Sequence, residues 1–543
     1  MSSLFTFFTA LVVSVTLIPL MMRIAPRLGM VDQPDPRKVH TTPTPRVGGV
    51  GIVIGSLIPI AFWVPIDNSI LAYLFGALVL LGFGLWDDSR ELGHYVKFVG
   101  QLIAVLAVVY YGDVYVRTLP FTDLEPLSPA IGKPFTVFAI VGMINAINHS
   151  DGLDGLAGGL SILSLSCIAY LAFLANDSTV VTIAIAILGG VFGFLRYNTH
   201  PAKVFMGDGG SQFLGFTLAF LAIVLTQNVN PALSPALPAL ILGLPIIDIL
   251  AVFAQRAYHR MNWFRATKNH IHHRLLEVGF HHYESVVIIY TIQAVFVVSA
   301  MMFRYESDML ITTLYLGVCA LVFASLYLAL NNGWRVPRGH GSDGHALITS
   351  LKKSPMLTKW PLGLVTLAIS SLFLITSIIT KNVSQDLGIG AIALAGILLV
   401  SLIIKIDKSS FVLRAVAYVT SAFVVYLESN LIGSDASLLN SIEVVYFVLL
   451  AIAIAIAVRL SDTVEFRINP MDYLVIFIVL SAGVLAKNAP LQDNFGFMVV
   501  KLVILFYGCE LIISRARSRL NPLTLFGFTA LLILGLRGII PEW

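Results

Sequence analysis

The chain reads as an all-α polytopic integral membrane protein, and three observations lead there. It has 543 residues, of which 57% are hydrophobic and only 12% charged, with mean hydropathy +0.88. Soluble domains carry about 25% charged residues. Its apolar runs are about 17–22 residues long, the length a helix needs to cross the hydrocarbon layer. The two-residue alternation of a membrane β-barrel is absent, which leaves helices as the spanning element.

The first run, Met1–Arg23, closes on an arginine and is followed by Pro26 and a basic loop. It is too long for a signal-peptide core and lacks a small-residue cleavage site, so it is read as a retained first helix. Further spans are expected near 49–66, 70–86, 96–112, 135–148, 158–175, 180–196, 211–227, 237–256, 284–303 and 309–330. A second set is expected near 360–380, 386–404, 411–427, 441–459, 471–487, 496–513 and 521–537. This makes a module of about eleven helices over 1–330, a polar, basic linker over 331–359, and a module of about seven further helices over 360–543. Cys167, Cys319 and Cys509 all sit inside apolar runs, without metal-ligand spacing, and read as packing residues.

Orientation follows from the short basic loops. With the N-terminus outside, the loops holding Arg27, Arg37, Lys38 and Arg46, then Arg256, Arg260, Arg265, Lys268 and Arg274, and then Arg515, Arg517 and Arg519, all fall in the cytoplasm. The net charge of +4 is small, and no nucleic-acid partner is indicated.

On this topology five polar clusters share one membrane face. They are Asp32–Gly49, containing Lys38, His40 and Arg46; Asp87-Asp88 with Arg90, Glu91 and, further on, Lys97; Asn145–Gly159, containing Asn148, Asp151 and Asp154; Phe205 to Ser211, containing Asp208; and His270, His272, His273 and Arg274. So many polar groups at membrane-helix ends call for a chemical reason. Adjacent Asp87 and Asp88 are either a solvated helix end or a pair relieved by a cation or shared proton. Gly207–Ser211 is either a plain loop before a helix or a phosphate cradle at its N-terminus. The histidines allow a zinc site with His281 and His282, a solvated loop, or contact with phosphate alongside Arg274; no cysteine or evident carboxylate completes a zinc set. Asp248 is either a structural acid paired with Arg256 or part of the site. Asp and Asn oxygens favour a hard cation, Mg²⁺ with Mn²⁺ as second choice. Together these suit phosphoryl transfer between a soluble nucleotide and a lipid phosphate.

In this order the clusters resemble the polyprenyl-phosphate N-acetylhexosamine-1-phosphate transferases (WecA/MraY type), over roughly residues 1–300. The resemblance implies transfer of a sugar-1-phosphate from a UDP-N-acetyl sugar to undecaprenyl phosphate, releasing UMP, at the cytoplasmic face of a bacterial inner membrane. It further implies that Asp208 and Asn148 hold Mg²⁺ and that Asp87 and Asp88 orient or deprotonate the lipid phosphate. Lys97 would contact phosphate, Asp154 would lie by the uracil edge, and Phe205 would stack on its ring. His270, His272, His273 and Arg274 would surround the sugar diphosphate. Asp151 belongs to the catalytic set, and Lys38, Arg46 and Asn145 to the substrate-binding set. Glu91, where the peptidoglycan branch has lysine, points to UDP-N-acetylglucosamine. Ala266-Thr267-Lys268-Asn269 departs from the Pro-Asp-Arg type of turn common in relatives.

The second module lies outside the resemblance. Its Glu428, Glu443 and Glu510 read as caps or snorkelling side chains, and roles open to it are dimerisation, docking of a downstream glycosyltransferase, or separate lipid chemistry. A transporter or flippase is the competing class. Against it, the acids of the first module sit at cytoplasmic helix ends and no internal repeat is evident.

Overall fold

The computed structural model describes residues 2–34, 42–122, 126–261, 269–336, 355–380, 383–403, 409–431, 437–459, 495–515 and 521–540. Lys38, Arg265, Lys268 and the span expected near 471–487 lie outside the described residues. Twelve described helices are long and apolar enough to cross a bilayer, so this is a multi-pass helical membrane protein. The described residues fall into two compact units, one up to residue 336 and one from residue 355 onward.

In the first unit, α1 (Ser2–Ile24) ends in a 3₁₀ turn closed by Gly29 at φ 72°, before a two-residue ladder of β1 (Val31–Asp32) and β2 (Thr44–Pro45). Next come α2 (Gly48–Trp63), α3 (Asn68–Arg90), α4 (His94–Leu106), α5 (Pro129–Ser150), α6 (Leu156–Leu174) and α7 (Ser178–Asn198). Aspartates cap α3 and α7: Asp67 accepts from the Ile70 N–H and Asp177 from the Val180 N–H, groups that a helix start otherwise leaves unpaired.

The core runs along α8 (Gly207–Val224). Its span is 94% buried, whereas α1 and α13 (Asp308–Asn331) are each 28% buried. A helix apolar on all sides belongs at the centre of a bundle. Here Phe216 and Phe220 stack on Tyr73 of α3, whose hydroxyl reaches Thr217 at 3.0 Å.

The expected span 237–256 is instead two helices, α9 (Leu237–Leu242) and α10 (Leu244–Tyr258), broken at Gly243 (φ 51°, ψ −120°). Pro245 follows two residues on. The exposed backbone groups are satisfied from elsewhere in the fold: fully buried Gln293 accepts from the Leu244 N–H at 3.0 Å and donates to the Ile241 carbonyl at 3.1 Å. The Tyr315 hydroxyl donates to the Gly243 carbonyl. Helix α11 (Ile271–Val278), on the histidine cluster, was not among the expected elements. α12 (His282–Met302) follows, opened by a reciprocal cap between His281 and Glu284.

The second unit contains helices Pro355–Ile379, Gln385–Ile403, Ser409–Leu431, Ser437–Arg459, Phe495–Arg515 and Pro522–Ile539. Five of them pack around Phe373, Phe447, Leu505 and Cys509, and Gln385–Ile403 packs through Ala391, Ala395 and Leu398 against Leu531 and Leu534. Its glutamates are not isolated caps. Glu428 and Glu443 both pair with Lys501, and Glu510 accepts from Arg414 and Tyr418 at 2.8 Å each.

Candidate active site

Glycines let the C-terminal end of α3 and the start of α8 touch backbone to backbone. A Cβ on Gly84 would lie 2.2 Å from the Gly209 Cα, and one on Gly207, at φ +73°, would lie 2.4 Å from Asp88 Oδ2. The described glycines of Gly207–Ser211 thus serve helix packing, and they bring Asp208 beside Asp87 and Asp88. The Asp208 N–H donates to Asp88 Oδ1 at 3.2 Å, and the Leu92 N–H to Asp87 Oδ1 at 2.6 Å. Lys97, from the first turn of α4, reaches Asp87 at 2.6 Å and Asp208 at 2.8 Å.

Asp87 and Asp88 are 5% and 6% exposed, which excludes the solvated helix end. Oxygens of Asp87, Asp88 and Asp208 lie within 4.8 Å of one another. Three carboxylates, two of them paired with the one ammonium, leave a net negative, oxygen-lined pocket, the donor set a hard divalent cation takes. The residues fit Mg²⁺.

A row of amides supports this cluster, and two of them, Gln101 and Gln212, are not singled out in the sequence. Gln212 donates to Asp208 Oδ2 at 3.3 Å, Gln101 to Gln212 at 3.2 Å, and Asn145 to Gln101 at 3.0 Å. Asn148 comes in through Ser211, whose hydroxyl donates to Asn148 Oδ1 at 3.4 Å. Their only advance sign is the polar stripe Asn145, Asn148 and Gln212 within apolar helices.

Phe205 is held by a backbone zipper. Its N–H donates to the Pro45 carbonyl at 2.8 Å, and its carbonyl accepts from the Gly48 N–H at 2.9 Å. Arg46 pairs with Asp32 across the β1–β2 ladder. The Arg46 cluster and the Phe205–Asp208 cluster therefore form one surface.

The turn after α5 carries Asp151 and Asp154. Burial, then the charges of Asp208 and Asp154, push the Asp151 carboxyl up to about 7. For Asp154 burial pulls upward, but the hydrogen bond from His200 and the nearby His282 outweigh it and hold the carboxyl below its usual range. Asp154 Oδ2 receives His200 Nδ1 at 2.7 Å and the Ala202 N–H at 3.1 Å, and the Asp154 N–H donates to His282 Nε2 at 3.1 Å. His282 thus meets a carboxylate that spacing did not reveal, together with His200 rather than His281. The His200 and His282 rings stack at 4.3 Å with 23° between planes. The stacked pair clamps the Asp154 turn, one ring on its carboxylate and the other on its backbone N–H. Asn198 accepts from the Gly155 N–H at 2.8 Å and Tyr290 donates to the Gly155 carbonyl at 2.6 Å, closing the turn.

His270, His272 and His273 lie at the start of α11, facing that turn. His270 stacks on His149 at 5.2 Å and on His272 at 5.8 Å; the His272 and His273 rings are 4.1 Å apart. A Cβ on Gly152 would fall 2.3 Å from His272 Nε2, so that glycine makes room for the ring. Burial first, then His273, push His272 down to about 3, so it is neutral at ordinary pH. Arg274 donates to the Asn269 carbonyl at 3.2 Å and reaches Gln255 at 3.5 Å. Asp248, for which the sequence leaves open a pairing with Arg256 or a place in the site, accepts from His270 Nδ1 at 2.8 Å. The described members of all five clusters therefore meet around the ends of α3, α5 and α8.

The sequence model of glycosyl transferase family 4 matches residues 70–226, which hold the Asp87-Asp88, Asn145–Gly159 and Asp208 clusters. A Bacillus subtilis (strain 168) protein named a probable undecaprenyl-phosphate N-acetylglucosaminyl 1-phosphate transferase is 35% identical over 302 residues, covering 55% of this chain and 84% of that protein. The chain belongs to this transferase superfamily. Within it, the chain falls in the N-acetylglucosamine-1-phosphate branch. The decaprenyl-phosphate N-acetylglucosaminephosphotransferase of Mycobacterium tuberculosis (strain ATCC 25618 / H37Rv) is 31% identical over 298 residues, 49% of this chain and 74% of that one. The undecaprenyl-phosphate alpha-N-acetylglucosaminyl 1-phosphate transferase of Escherichia coli (strain K12) is 27% identical over 346 residues, 62% and 93% of the two chains.

Proposed function

We propose that this protein transfers N-acetylglucosamine-1-phosphate from UDP-N-acetylglucosamine to undecaprenyl phosphate at the cytoplasmic face of the bacterial inner membrane. An oxygen of the lipid phosphate attacks the sugar-bearing β-phosphorus, the bond to the α-phosphate breaks, and UMP leaves with that bridging oxygen. The product is a lipid-linked sugar diphosphate that starts a cell-surface glycan.

The observation that carries this reading is the cluster of Asp87, Asp88 and Asp208 at membrane-helix ends, with Lys97 bridging Asp87 and Asp208. A polyprenyl phosphate presents its headgroup at that level, and a nucleotide sugar arrives from the water side. Asp87, Asp88 and Asp208 are the residues that would hold Mg²⁺, with Asn148 carried in beside Ser211, and when bound it supplies charge neutralisation for the diphosphate. Lys97 offers one ammonium to the same charge. Phe205, half-buried on its zipper, offers a ring face to the uracil, and the Asp154 turn offers a carboxylate oxygen to its edge. The histidine row and Arg274 offer donors toward the sugar diphosphate.

The test is UMP release by purified protein given undecaprenyl phosphate, UDP-N-acetylglucosamine and Mg²⁺. Lipid-dependent release that EDTA abolishes is expected. Release only with another UDP-N-acetyl sugar would keep the reaction and change the donor, whereas silence with every donor from folded protein would overturn the reading.

A further inference from the structure

We infer that Asp248 is a positioning residue for the transfer, acting through His270: it sets the ring's orientation and tautomer and anchors the helix that carries the histidine row. The inference rests on the proposed transferase reading.

Asp248 lies one turn into α10, 7% exposed, and both its oxygens are spent on α11. Oδ2 takes His270 Nδ1 at 2.8 Å, and Oδ1 takes the Ile271 N–H at 2.9 Å. Ile271 is the first residue of α11, and His270, at the cap position, makes no side-chain cap of its own. Asp248 therefore supplies from another helix the acceptor that a helix start needs, with its negative charge at the favourable end of the helix dipole.

The same carboxylate fixes the ring. An ionised carboxylate only accepts, so Nδ1 carries the proton, and Nε2, across the ring, is left as the group that can act on a ligand. The plane is fixed as well. His149 and His272 lie against the ring at 23° and 7°, and His149 directly follows Asn148. The Asp248 grip thus ties α10 and α11 to the end of α5, where the diphosphate would sit.

The experiment is a double-mutant cycle on UMP release with the full-length protein: wild type, Asp248→Asn, His270→Ala and the double variant. Tm and gel-filtration profile are checked for each. Asp248→Asn keeps the volume but cannot accept at both oxygen positions. It should lower kcat by about tenfold or more, the usual cost of removing a group that orients a working imidazole, with KM for the donor changed less than about threefold. The double variant should be no slower than His270→Ala alone, and Asp248→Glu should recover part of the loss. Additive losses, or a fall in kcat that merely follows a fall in Tm, would overturn the inference. So would unchanged kinetics in Asp248→Asn. If Asp248→Asn does not fold, the same cycle is read with Asp248→Glu, where additivity with His270→Ala again overturns it. Failure of wild type with every donor is a separate outcome, and it removes the transferase reading instead.

Discussion

This site holds two acid-centred clusters, and they are built differently. In one, Asp87, Asp88 and Asp208 gather with a single ammonium, Lys97, that pairs with Asp87 and Asp208. Around Asp154 the partners are the His200 imidazole and the Ala202 N–H on the carboxylate, with His282 accepting from the Asp154 backbone N–H, so hydrogen-bond donors are met within the cluster. The first arrangement has charge left over and suits a divalent cation and the phosphate that comes with it. The second is closer to self-satisfied, and it holds a turn in shape. The lesson is that an aspartate's role here follows from what surrounds it, although Asp87, Asp154 and Asp208 are alike as residues.

The sharpest way to break this comparison is Asp208→Asn. With a carboxylate lost from the all-oxygen cluster, kcat should fall about a hundredfold or more, several kcal/mol of transition-state stabilisation, as read by UMP release across an Mg²⁺ titration. Near-normal turnover at saturating Mg²⁺ would remove the distinction. Lys97→Met should sharpen it. Turnover should drop by about tenfold, while half-maximal activity should need less Mg²⁺, because the ammonium no longer competes for Asp87 and Asp208. A higher Mg²⁺ requirement would show that Lys97 supports the cation site instead.

In the clamped cluster, His200→Ala removes one charged hydrogen bond, worth about 1.5–3 kcal/mol. KM for the nucleotide sugar should rise about tenfold with kcat within about twofold, and the reverse pattern would make Asp154 part of the chemistry. Asp151 links the two clusters and gives a pH test in EDTA. Its folded carboxyl is raised from 3.8 to about 7, so the folded state holds more protons than the unfolded one in that window, and the group's contribution to stability is lost as pH rises through it. His272 acts in the opposite sense. Lowered from 6.5 to about 3, it favours the folded state above 6.5 and loses that contribution as pH falls. The Tm of Asp151→Asn should therefore climb more steeply than wild type between about pH 4 and 7, and parallel curves would contradict the Asp151 assignment. The smallest effect belongs to Glu510→Gln in the second unit. Its half-buried pair with Arg414 is worth at most about 1 kcal/mol, so Tm should slip slightly and transfer should stay within about twofold.

Much of this was legible before folding. Long apolar runs can only be membrane helices, because every backbone group in hydrocarbon must be satisfied within its own segment. Polar residues stranded at the ends of such runs mark a site, because burying them without a purpose is costly. Asp87, Asp88, Asn148, Asp208 and the histidines stand out on that ground alone. Long-range pairing is another matter. The break at Gly243 depends on Gln293 arriving from α12, Asp248 meets His270 from 22 positions on where local spacing offers Arg256, and His282 finds Asp154 and His200 across 128 and 82 positions of chain. Hydropathy and local spacing report on neighbours within a turn or two. Which helix ends meet is decided by packing, here by glycines such as Gly84 and Gly209 that let two backbones touch, and only the folded chain brings those partners within hydrogen-bond reach.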